Sequence, residues 1–439
     1  MDIVKGGSFV AFRYRDFRLL WGSSLLSSSG TWLQNVAVPI VVFNITGSGV
    51  WLGITGFVGY APMVFTGPYA GWIADRFDRR RVLILGGIGQ AIFTFAMCAY
   101  WASGDKRIGI FISLLAANSF VAGLTVATWQ AFVTEMVPRE HLLNAITLNS
   151  AQFNAARAFG PSLGGLLLVP LGEGWLFFLN GMTFVVLVFS LLLIRTHRKP
   201  PPPPPGKATP IADMVDACRY AFAEPGIAVC LIVVFFLGFL GGPLFNLIVV
   251  FTERVWDVGG SAYGLLAGCL GFGAIVVAPF VAGRGSRTNR SVMLTIAMVS
   301  YGLALVGVGA SPIVLTGAIA LLVAGAGYLG ISSTLNTTVQ LQVSESMRGK
   351  VLALYVVVLT AAVPLGSLLQ GWLVDVIGVQ WTVAGAGVIM LIVFGVLRSL
   401  GRFEAMNDLT RGEFTEATEE DAEIAIAEAE ATEAAIDPI

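Results

Sequence analysis

Charge is what this chain has least of. Only 12% of its 439 residues are Asp, Glu, Lys or Arg, against about 25% in an average soluble protein. Histidine and cysteine are also scarce, at two and four residues. His141 and His197 fall in expected loops with no second His or Cys nearby, so neither a metal site nor an imidazole general base is indicated. Cys98, Cys218, Cys230 and Cys269 have no CxxC spacing, and three of them lie in apolar runs, which argues against a disulfide framework or a zinc centre. No nucleotide-phosphate loop, metal cluster or nucleophile triad is legible. An enzyme, a bound cofactor and a nucleic-acid partner are therefore not expected. A cleavable signal peptide is not expected either: Met1 to Phe17 is polar and basic, and the apolar run after it is too long for a signal core.

What is abundant is hydrophobic surface, at 56% of the residues. Packing so much Leu, Val, Ile, Phe and Ala around aqueous cores would leave little polar surface for water, so the expected solvent is lipid. A spanning helix needs roughly 20 mostly apolar residues, and twelve such segments can be drawn. In the first half they run near Leu19 to Phe43, Val50 to Ile73, Val82 to Trp101, Ile108 to Thr134, Leu142 to Pro170 and Trp175 to Ile194. In the second half they run near Ile227 to Phe251, Tyr263 to Ala282, Val292 to Ala310, Ile313 to Gln342, Val351 to Val374 and Trp381 to Leu400. This divides the chain into an N-terminal segment (1–18), a six-helix bundle (19–194), a linker (195–226), a second six-helix bundle (227–400) and a tail (401–439).

Twelve spans put both termini on one side. With that assignment, 22 Lys and Arg residues face the terminal side, three (Lys106, Arg107, Arg254) face the other, and Arg157 alone lies inside a span. The positive-inside rule then places both termini in the cytoplasm. The linker contains the proline run Pro200 to Pro205, a stiff polyproline II spacer of roughly 19 Å at about 3.1 Å per residue. The tail from Glu404 carries twelve acids and one Arg and reads as a solvated extension.

The halves repeat. Pro68, Arg76 and Arg79 recur 211 residues later as Pro279, Arg287 and Arg290, while Thr128, Gln130 and Glu135 recur 210 residues later as Thr338, Gln340 and Glu345. Two separate segments with nearly one offset indicate a duplicated six-helix unit.

The loop after the second span reads Gly71-Trp72-Ile73-Ala74-Asp75-Arg76-Phe77-Asp78-Arg79-Arg80-Arg81. A small residue permits close helix approach, an acid at a helix end suits another helix's positive N-terminus, and the arginines hold the loop on the inner side. This order resembles the signature loop of the major facilitator superfamily, although Asp78 stands where members often have Gly, and the second copy has Ser286 in place of Asp75. Ala131 to Arg139, Leu148-Asn149-Ser150, Asn154 to Gly165, Arg348 to Val351 and Pro364 to Leu368 are similar to the branch of siderophore exporters and macrolide efflux proteins, over about residues 12 to 400. Gly160-Pro161-Ser162-Leu163-Gly164-Gly165 resembles the antiporter signature of fifth helices. The resemblance implies an all-α membrane protein of two pseudo-symmetric six-helix bundles, acting as a monomer in the bacterial inner membrane. It implies export of amphipathic drugs or siderophore-like metabolites by alternating access with a proton as coupling ion. Lysophospholipid transport is the alternative within transport, since the branch is also similar to such carriers. A non-transporting sensor or scaffold using the tail is the alternative outside it.

Candidate gating residues are Gly71, Asp75, Arg76, Arg79 and Arg80, the repeat-related Glu135 and Glu345, and the packing motif Gly160, Pro161, Gly164 and Gly165. Asp75 is expected to brace the inner gate against the start of the eleventh span near Gly349 to Val351. Polar residues inside spans are costly and face a cavity or another helix. Ser24, Ser28, Thr31 and Asn35 share one face of the first span at i, i+4, i+7 and i+11, and Ser150, Asn154, Arg157 and Pro161 repeat that spacing on the fifth. Asn118 and Trp129 in the fourth span, Asn246 in the seventh, and Asn336 and Gln340 in the tenth complete a set that either lines a central substrate cavity or hydrogen-bonds between helices. Arg157 either receives an anionic substrate group or pairs internally; its place beside the glycine motif favours pairing. No acid falls at mid-membrane, so Glu135 and Glu345 read as gate or loop anchors before proton carriers.

Overall fold

The computed structural model describes residues 9–195, 210–259, 261–284, 289–345 and 347–407. Apolar runs surrounded by lipid satisfy their backbone groups only within a helix or a closed barrel, and the described residues are helical with no strand. The first half contains α1 (Arg15–Thr46), α2 (Gly49–Arg76), α3 (Arg79–Ala102), α4 (Ile108–Glu135), α5 (Leu142–Leu171) and α6 (Glu173–Leu193). The second contains α7 (Pro210–Ala223), α8 (Pro225–Phe236), α9 (Leu244–Val250), α10 (Ser261–Arg284), α11 (Arg290–Ala310), α12 (Val314–Gln342), α13 (Arg348–Ile377) and α14 (Val379–Ser399). Ten stretches among the described residues are long and apolar enough to cross a membrane. α1 and α5 have the length, at 32 and 30 residues, but their Ser, Asn, Gln and Arg stripes lower their hydropathy.

α8 and α9 are one pass, continued through two π-helical turns at Leu237–Gly241 and Phe251–Val255. The first turn precedes Pro243, whose ring removes a backbone donor and breaks the regular ladder. Gln370 on α13 donates from Nε2 to the carbonyls of Phe239 at 2.8 Å and Leu240 at 3.0 Å, satisfying acceptors that the irregularity frees. The linker holds a helix that composition did not announce: α7 packs on α8 and α13, burying Ala217 and Ala221 while Val215 and Phe222 stay exposed. The proline run 200–205, Ser286, Arg287 and the tail from residue 408 lie outside the described residues.

The repeat is visible in how the halves meet. α2 packs on α13, and α5 packs on α10. Under the 210–211 residue offset α2 corresponds to α10 and α5 to α13, so a pseudo-two-fold axis exchanges the two contacts. Both are dense at the end away from Arg76 to Arg81. There Cβ atoms built on Gly53 and Gly371 would strike each other's helix backbone, and a Cβ on Gly165 would lie 2.8 Å from Gly264 Cα. At the arginine-rich end the opposite holds: nothing lies within 4 Å of where a Cβ would sit on Gly67, Gly71 or Gly349. The bundles touch at one end and part at the other.

Candidate functional site

At the arginine-rich end the signature loop is held by its own half. Arg79 donates from Nε to Ala74 O at 3.1 Å and pairs with the buried Glu135 carboxylate of α4. Arg80 caps the end of α6 by donating to Leu191 O and Leu192 O, both at 2.6 Å. Arg76 stacks on Trp72 at 4.8 Å. Asp75 is exposed and makes no hydrogen bond or ion pair among the described residues, so its brace to α13 is not made in this conformation. The second half does not reproduce the loop anchor: Glu345 is exposed, 3.8 Å from Arg348, and Arg290, the counterpart of Arg79, donates to Met406 O at 3.0 Å.

At the closed end the glycine motif divides its work. Gly160 is buried against Trp32 and Gly164 against Val36, both on α1, while Gly165 faces Gly264 on α10; the buried Pro161 presents its carbonyl to the same Gly264. Sequence reasoning missed the residue that locks this end. Asp375, at the end of α13, accepts from Ser48 Oγ at 2.5 Å, Gly49 N at 2.7 Å and Val50 N at 3.0 Å. A carboxylate from one half thus caps the α2 N-terminus of the other. Arg254 adds a second crossing, donating to Gly47 O and lying 5.1 Å over the Phe43 ring. No spacing rule finds partners 327 residues apart.

Between these ends the expected cavity residues separate into two groups. Asn118 is buried and donates to Gln90 O and Thr94 Oγ1, each at 3.2 Å, inside the first bundle. It joins a network that sequence reasoning overlooked, in which Thr94 and Asn180 donate to Gln34. Trp129 packs against the buried cluster around Phe132 and Leu148. Ser24 and Ser28 are tied to Gln152 of α5, and Thr31 donates to Ser27 O at 2.9 Å. Of the two alternatives for the α1 stripe, cavity lining or hydrogen bonding between helices, Ser24 and Ser28 take the second.

The second group is less enclosed, and most of its members are not tied into the first bundle. Asn35 is half-buried, Asn154 is exposed with its amide on Ser150 O, and Asn246 reaches toward Gly56 of α2. Asn336 accepts from the exposed Gln340. Arg157 is exposed and lies 5.4 Å over the ring of Tyr328 on α12. Tyr60 of α2 is 44% exposed and lies within electrostatic reach of Arg157 and Tyr328. Trp32, Phe245 and Tyr263 stack edge to face beyond it, with centroids 5.8 Å apart in each pair, and bridge α1, α9 and α10. No spacing in the sequence marks these particular tyrosines; only their convergence from several helices distinguishes them.

A family model described as transmembrane secretion effector, a branch of the major facilitator superfamily, matches residues 6–425. The chain belongs to this family. The superfamily member named as the enterobactin exporter of Salmonella typhi is 25% identical over 410 residues, covering 89% of this chain and 95% of that protein. The staphyloferrin A transporter of Staphylococcus aureus is 22% identical, covering 84% and 92%. The multidrug efflux pump Tap of Mycobacterium bovis is 23% identical, covering 83% and 88%. An uncharacterized transporter of Bacillus subtilis matches over a shorter stretch, 29% identical across 38% of this chain and 39% of that protein. Among solved structures, a bacterial homologue of the lysosomal transporter spinster superposes with TM-score 0.67 at 17% identity, covering 89% and 97%. A peptide transporter does so with TM-score 0.71 at 12% identity, covering 90% and 96%. The major facilitator fold and a transporter role follow, and the chain is not an enzyme.

Proposed function

We propose that this protein exports amphipathic small molecules, drugs or siderophore-like metabolites, across the bacterial inner membrane as a monomer, by alternating access powered by the proton motive force. The observation that carries this reading is the one-ended contact between the halves around an aromatic and polar gap. With the arginine-rich end and both termini in the cytoplasm, the conformation is open inward, the state that loads an exporter. Substrate enters between Arg157, Asn154, Asn336 and Gln340, and the Trp32, Phe245 and Tyr263 stack bars its exit. Rocking of the bundles parts Gly165 from Gly264 and Asp375 from α2, and brings Asp75 onto the start of α13.

The relatives named for siderophores and drugs support this reading over lysophospholipid transport. The decisive experiment profiles metabolite secretion and drug susceptibility of a deletion strain complemented with the wild type or with Asp75→Asn. Wild-type complementation should restore secretion, and Asp75→Asn should restore it at least tenfold less well at equal protein level. Unchanged profiles on deletion would refute the export reading, and headgroup-labelled lysophospholipid uptake would replace it.

A further inference from the structure

Arg157 and Tyr328 form a pair that packing alone does not require. Arg157 lies fifteen residues after the start of α5 and fourteen before its end, and Tyr328 lies fourteen from either end of α12. Both therefore sit at mid-depth, one from each half, with the guanidinium over the ring. A charge at this depth is costly, and proteins that keep an arginine there give it a carboxylate or carbonyl partner. This one has no hydrogen bond and no carboxylate partner among the described residues, and it is exposed to the gap. A ring face offsets only a small part of the cost. The described acids cannot reach: Asp75, Glu135, Glu345 and Asp375 lie at helix ends, and Glu253 lies in the last turn of its pass.

We propose that the missing counter-charge belongs to the substrate. The cluster of Arg157, Tyr328 and Tyr60 is an anion site, taking a molecule with one negative group for the guanidinium, an aromatic or apolar body for the tyrosine rings, and an acceptor for a phenol hydroxyl. The inference deepens the export reading and rests on it. It also assigns the component of the proton motive force that does the work. An anion leaving the negative face of the membrane moves down the electrical gradient, and each 100 mV sustains about a fiftyfold concentration ratio per charge. No proton-carrying carboxylate is then needed at the cavity, and none of the described acids is placed there.

Three probes with one body test the site: 2-naphthalenesulfonate, 2-naphthylmethylammonium and 2-naphthylmethanol, titrated calorimetrically against purified protein in detergent. The wild type should bind the sulfonate at least tenfold more tightly than either other probe. Arg157→Gln should erase that preference, Arg157→Lys should keep part of it, and Tyr328→Leu should weaken all three probes. Equal binding of the three probes by the wild type overturns the anion site without needing any variant to fold, and so does an unchanged preference in a folded Arg157→Gln protein. In right-side-out vesicles, an inside-negative potassium diffusion potential should speed sulfonate efflux severalfold, while a pH gradient alone should not. Efflux that follows only the pH gradient overturns the electrical drive. Selective binding with no movement under either gradient leaves the anion site standing and refutes export instead.

Discussion

Arg79 and Glu135 show how one residue pair decides whether a repeated sequence makes a repeated structure. Their counterparts Arg290 and Glu345 keep the chemistry and lose the pairing, because Arg290 is taken by the Met406 carbonyl and Glu345 turns to solvent. Removing one partner of a buried pair strands the other charge and costs about 3 kcal/mol or more, whereas an exposed pair is worth about 1 kcal/mol or less. Glu135→Gln should therefore lower stability in denaturant titrations of the micellar protein by about 3 kcal/mol, while Glu345→Gln should change it by less than 1 kcal/mol. Equal losses would mean that the two anchors are equivalent. At this scale the sequence marked which residues are unusual, Arg157 and Glu135 among them, but the partner of each was hidden, since Tyr328 and Arg79 lie on other helices.

At the scale of elements, α5 and α13 each pack twice, within their own half and across to the other. The motif from Gly160 to Gly165 was legible as a packing patch, but its division between α1 and α10 depends on the helix's rotation, which no spacing specifies. Gly165→Leu would drive a side chain into the Gly264 backbone. It is expected to hold the closed end apart and abolish transport at near-normal expression, read as a longer distance between spin labels on α2 and α13 near that end. Asp375 offers a softer intervention. It accepts three hydrogen bonds from the α2 terminus, and bonds to a charged acceptor are worth roughly 1.5–3 kcal/mol each. Asp375→Asn should weaken this cap and shift the population toward the outward-open state by about tenfold, roughly 1.4 kcal/mol, in the same spin-label measurement. An unchanged distribution would make the cap a consequence of closure with no hold over it.

For the whole molecule, the contact pattern is asymmetric about the membrane although the fold is pseudo-symmetric within it. Small residues crowd the crossing of α2 with α13 and of α5 with α10 at one end, while Asp75 at the other has no partner among the described residues. If the Asp75 brace forms only when the inner end closes, a cysteine pair replacing Asp75 and Gly349 should crosslink faster in a protein carrying Asp375→Asn than in one with Asp375 intact. Crosslinking at the same rate in both would separate the two ends and argue against a rocking motion.

Composition, charge asymmetry and the repeat offset were enough to settle a helical membrane protein of duplicated halves, because lipid allows few backbone solutions and positive charge is sorted to one side of the bilayer. Family likeness in the signature loop and in α5 was enough to mark it as a transporter. Which polar residues line the gap, which ones only pack helices, and which end is shut were decided by tertiary structure alone. Those outcomes depend on helix rotation and on contacts between residues hundreds of positions apart, where a hydroxyl, an amide or an arginine is the same letter whether it meets a neighbouring helix or an open cavity.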